Sequence, residues 1–107
     1  MNTKQILEIE DLYPKTVNFI LQGLFIKVHN RSFYIVTELI GKKLIPTCSY
    51  VKSANNRFVI KGGFPAKQFM QLFPDAVFTE WGYQLVGDFN LAAYEVWLAN
   101  WESRLAS

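Results

Sequence analysis

An α+β fold is what this sequence predicts: an antiparallel β-meander of three to four strands, packed by a short central helix and an amphipathic C-terminal helix. Three observations lead there. Runs rich in branched and aromatic residues alternate with turn-forming clusters between Leu24 and Lys61. A proline-led segment, Pro65–Phe73, stops at Pro74. Finally, Leu91, Tyr94, Leu98, Trp101 and Leu105 recur at three- and four-residue steps, the spacing of one helix face. The length of 107 residues suits one domain spanning 1–107.

Taken in order, residues 3–12 offer Thr3 as a cap and then Ile6, Leu7, Ile9 among Glu8, Glu10 and Asp11. That pattern fits a helix start or a strand edge. Pro14 opens Lys15–Gln22, where Val17, Ile20 and Leu21 hold helical spacing and Gly23 is a natural stop, so a helix is expected; the same residues also alternate as a strand would. Leu24–Val28 and Phe33–Thr37 read as a hairpin around the polar turn His29-Asn30-Arg31-Ser32. Gly41-Lys42-Lys43 turns into a strand Leu44–Val51, which Pro46 marks as an edge or bulged strand because it lacks a backbone donor. Ser53-Ala54-Asn55-Asn56 turns into Arg57–Lys61, and Gly62-Gly63 closes the meander. Val77-Phe78-Thr79 fits a further short strand, and Asp88 or Asn90 caps the last helix. Leu98 and Phe33 are expected to face inward.

Chemistry-bearing groups are few. One His and one Cys exclude a zinc site by counting, so no metal and no cofactor are expected. His29 has no partner at catalytic spacing, Cys48 reads as a small buried hydrophobe, and no pair of carboxylates is held for acid–base work, so the chain reads as no enzyme. The lone cysteine suits a reducing compartment, and a cytoplasmic location is expected. The first residues lack a basic stretch followed by an apolar one, and no apolar run approaches the ~20 residues of a membrane span. No signal peptide and no membrane association are therefore expected.

Two surface properties remain. Nine basic residues lie between Lys15 and Lys67 against one acid, Glu38, whereas the flanks hold Lys4 and Arg104 against eight acids. Lys27, Arg31, Lys42, Lys43, Arg57 and Lys61 within segment 15–67 are thus candidate nucleic-acid contacts, although no recognised nucleic-acid motif accompanies them. The second property is an apolar excess. Charged residues make up 19% of the chain, while nine Phe, five Tyr and three Trp must all be accommodated. A domain this small is expected to leave some rings exposed, and Trp81, Trp97 and Trp101 are the candidate partner-binding residues. The leading expectation is a small non-enzymatic binding protein that docks on a protein partner or on itself through an aromatic surface. The alternative is a nucleic-acid-associated protein that uses the basic segment.

Overall fold

The computed structural model describes residues 1–106. Helix α1, Thr3–Leu12, starts at a capping box in which Asn2 Oδ1 accepts from the Gln5 amide (2.9 Å) and Gln5 Oε1 accepts from the Asn2 amide (2.8 Å). Asn2, rather than Thr3, is therefore the cap, and the reciprocal pair satisfies two donors at the helix start. Next come strands β1 (Thr16–Gln22) and β2 (Phe25–His29), then helix α2 (Arg31–Tyr34), which widens into a π-turn over Ile35–Leu39. Strand β3 (Thr47–Val51) is followed by a 3-10 turn and strand β4 (Arg57–Pro65). A second 3-10 turn, the short helix α3 (Phe69–Leu72), strands β5 (Val77–Phe78) and β6 (Gly82–Val86), and helix α4 (Tyr94–Ala106) complete the described chain.

Among the described residues the strands form one antiparallel sheet of six, in the order β3-β4-β2-β1-β6-β5. The α+β class holds, but the sheet has more strands than expected and is not a meander. Residues 15–22 are a correction. They form a central strand, since β1 is covered on both sides: Val17 and Phe19 join the main core, and Ile20 packs with Ile6 and Ile9 of α1. The alternation of Val17 and Phe19 is the strand signal that holds, and Ile20, buried on the other face under α1, is what lent the run its helical spacing.

The expected Leu24–Val28/Phe33–Thr37 hairpin is a second correction. Strand β2 pairs instead with β1 and β4, and Phe33 lies in α2. Asn30 causes the switch. At φ 48° its backbone turns out of the sheet, yet its amide donates to Ile60 O (2.8 Å) and its Oδ1 accepts from Ile60 N (3.0 Å). The side-chain carbonyl thus stands in for a backbone one, so β4 loses nothing when the chain departs.

Strand β4 also runs on through Gly62 and Gly63 to Pro65. A Cβ at Gly62 would lie 2.8 Å from the Phe33 ring and 3.1 Å from Ile45 O, so glycine there makes room for a buried aromatic. The helix expected from Pro65 is accordingly shorter and begins later. The strand expected over Leu44–Val51 starts only at Thr47, past Pro46, and occupies a sheet edge, one of the two alternatives that Pro46 left open.

The main core lies between the sheet and α2, α3 and α4. Phe19, Phe69 and Phe73 interlock there, with Phe19 centroids 4.8 Å from each of the other two. Helix α4 starts at Tyr94, later than expected, because Asn90 Oδ1 accepts from Ala92 N (3.0 Å) in a turn ahead of the helix. Tyr94 is buried, Leu98 and Trp101 half-buried, and Leu105 exposed.

Candidate functional site

Glu10 and His29 sit deep in the molecule. The strands β1 and β2 part beyond the Ile20–Lys27 pair, and the Asn18 amide finds Ser32 Oγ (2.8 Å) in place of a strand partner. Into this gap α1 inserts Glu10, which is only 2% exposed. Its carboxylate accepts from Ser32 N (3.0 Å), Ser32 Oγ (2.6 Å) and Asn18 Nδ2. Thr16 Oγ1 and Gln84 Nε2 donate to Asn18 Oδ1, and Arg31 donates to the Glu10 backbone carbonyl (2.8 Å). Burial raises the Glu10 pKa, against the lowering effect of these hydrogen bonds and of Arg31. Glu10, Asn18 and Ser32 thus satisfy one another, and none of them lines the clefts described below. The cluster ties α1, β1 and the start of α2 together.

His29 is 2% exposed, and its Nδ1 has no hydrogen-bond partner. Burial, with Lys61 and Lys27 nearby, pushes its pKa down to about 4. The folded protein therefore resists a proton that the unfolded chain accepts near pH 6.5. Stability is expected to be undiminished by this group above pH 6.5 and to fall as pH drops from 6.5 towards 4, by roughly 3 kcal/mol in full. Glu10, whose pKa burial raises, acts in the opposite sense. As the protein has one histidine, an NMR titration of its ring reads the effect directly. A midpoint near 6.5 in the folded protein would refute it.

The three tryptophans are all half-buried and do not form one patch. Trp81 packs against Ile6, Ile9 and Ile20 on the α1 side of the sheet. Trp97 belongs to the main core on the other side, 5.1 Å from the Tyr34 ring, and its Nε1 donates to Glu38 Oε1 (2.9 Å). Trp101 stacks edge-on to Trp97 under the Arg104 guanidinium.

The basic candidates are also divided. Arg57 forms a bidentate pair with Asp11 at 2.9 and 3.1 Å, and Arg31 points inward to Glu10 and over the Tyr94 ring. Lys42 lies over the Phe64 ring, on the main-core face. Lys27 and Lys61 share the opposite face with Phe25, by alternation along paired strands. Lys43 is exposed. Cys48 is half-buried, and burial raises its thiol pKa, which disfavours a reactive thiolate.

What the sequence reading missed is the apolar end of the sheet at the β1–β2 hairpin. Leu24 is 83% and Phe78 71% exposed, with Leu21 and Phe25 also exposed. A cleft of about 390 Å³ on one side of the hairpin is lined by Ile20, Leu21, Phe78, Thr79, Glu80 and Trp81, among others. A second, of about 310 Å³, is lined by Leu24, Phe25, Pro65, Ala66 and Lys67. The available signal was Leu24 itself, an apolar residue directly after Gly23 in a turn. Glycine is required at position 82, between this end and β1: its φ is +152°, and a Cβ would lie 2.0 Å from Phe19 O. Among the described residues no group of three or more His, Cys, Asp or Glu is placed to hold a metal, and no helix is long and apolar enough to cross a membrane. No protein-family model matches this sequence, and no curated protein or solved structure is found to be similar to it.

Proposed function

We propose that this is a non-enzymatic docking protein whose partner is a protein segment carrying apolar anchor residues flanked by acids. The observation that carries this reading is the pair of clefts on either side of the exposed Leu24–Phe25 turn. Apolar surface gathered at one end, rather than scattered, is characteristic of interfaces. Trp81 lines one of those clefts and is the sequence-predicted tryptophan that contributes to this surface. Lys67 lines the other, and Lys27 lies over the Phe25 ring, so cations border the apolar part and favour an acidic rim on the partner. Trp97 and Trp101 support the core behind α4 in this account.

A photo-crosslinking residue at position 24 is expected to form a protein adduct that survives nuclease treatment. A probe at Lys15, just before the far end of β1 and about 25 Å away, is expected to form none. Phe78→Ser should weaken partner binding at least tenfold, with a shallow response to salt. Adducts that vanish with nuclease, or affinity that falls steeply with salt, would instead favour contact between Lys27 or Lys61 and nucleic-acid phosphates. Adduct formation indifferent to Phe78→Ser would remove the proposal.

A further inference from the structure

We infer that strand β3 is a self-pairing edge, through which two copies of this chain join their sheets into one of twelve strands. The ladder geometry specifies which groups are free. Asn30 N and Leu24 O bond to Ile60 O and Ala66 N, so even-numbered residues of β4 direct their backbone groups towards β2. Odd-numbered residues therefore face β3, which makes Lys61–Thr47, Val59–Ser49 and Arg57–Val51 the hydrogen-bonded pairs. Cys48 and Tyr50 are left pointing outward, and among the described residues no donor or acceptor meets their backbone N–H or C=O.

These two residues are self-complementary. Placed antiparallel to itself about Ser49, β3 sets Cys48 opposite Tyr50 of the second copy, and Tyr50 opposite Cys48. Four hydrogen bonds form, and all four free groups of the edge are used. Both ends of the strand limit it to this length: Pro46 has no donor to extend the ladder, and the 3-10 turn Lys52–Ala54 leaves the sheet plane. A second β3 thus matches the edge residue for residue, whereas a longer strand from elsewhere gains nothing beyond it. No residue from Thr47 to Val51 is charged, so the usual protection of an exposed edge is absent within the pairing segment. In this register Lys52 meets Pro46 of the second copy rather than another lysine. The opposite edge, β5, has two residues and offers no comparable surface.

The inference is separate from the apolar end and is tested separately. Ser49 is exposed, and at the two-fold axis it faces its own twin at a non-hydrogen-bonded position, with Cα atoms about 4.5 Å apart. That distance suits a disulfide. Ser49→Cys in a Cys48→Ser background should therefore oxidise to a covalent dimer at least tenfold faster than Thr47→Cys in the same background, whose twin lies about 13 Å away. In the unaltered chain, amide exchange at Cys48 and Tyr50 should slow as protein concentration rises, while the Ser49 amide, which faces β4, is protected throughout. Equal oxidation of the two cysteine variants would overturn the register. Sedimentation as a monomer through the high-micromolar range, or free exchange of both amides at every concentration, would overturn the pairing itself.

Discussion

Glu10→Ala is expected to destabilise the protein by about 3–5 kcal/mol, as measured by denaturant unfolding, because one truncation strips three buried donors of their acceptor. Ser32 N, Ser32 Oγ and Asn18 Nδ2 lie buried in the gap between β1 and β2. The effect should spread along the chain, since the carboxylate ties helix α1 to the start of α2. Glu10→Gln keeps the volume and one acceptor and should cost less, about 1–2 kcal/mol, its amide having only Ser32 Oγ to address. The pH dependence has a definite sign. Burial raises this carboxyl's pKa above its ordinary 4.5, so the folded chain holds the proton more tightly than the unfolded one. The group's contribution is complete below pH 4.5 and is lost as pH climbs through its folded value. Glu10→Gln should abolish that part of the profile and leave the acid limb from His29 in place. Equal stability of the native and Glu10→Ala proteins would show that the cluster is not a tie.

Phe33→Ala is the other large effect expected, at about 3–5 kcal/mol, the usual cost of emptying a buried aromatic site. Phe33 is 3% exposed, lies against the space at Gly62, and has the Trp97 ring 6.0 Å away. The two positions are sized for each other, which makes a coupling measurable. Gly62→Ala alone should destabilise by pressing a methyl against the ring and Ile45 O, and should cost about 1 kcal/mol less once Phe33 is alanine. Strict additivity in this double-mutant cycle would refute the packing argument. The corresponding truncation of Leu98, which is only half-buried, should cost less.

The residues by themselves determined the α+β class and the C-terminal helix, and narrowed the strand after Gly41 to an edge or a bulge. Each of these rests on a local cause: the repeat of Tyr94, Leu98 and Trp101, and the missing donor of Pro46. What only the tertiary structure decided is where local pattern fits two structures or where the partner is remote. Thr16–Gln22 read both ways in sequence and became a strand because Val17 and Phe19 join the main core on one face, while α1 covers Ile20, the residue that broke the alternation, on the other. Phe33–Val36, as rich in branched and aromatic residues as any strand, became helix and π-turn because Asn30 completes the β4 ladder with its side chain and Glu10 receives the Ser32 amide. Those partners stand 30 and 22 residues away. The apolar end at Leu24 and Phe78 has the same origin. A hairpin tip and a two-residue strand share one end of the sheet only because β6 returns to pair with β1. Propensity acts over a few neighbouring residues, whereas satisfaction of buried polar groups and closure of a sheet act across the whole chain, and here the latter prevailed.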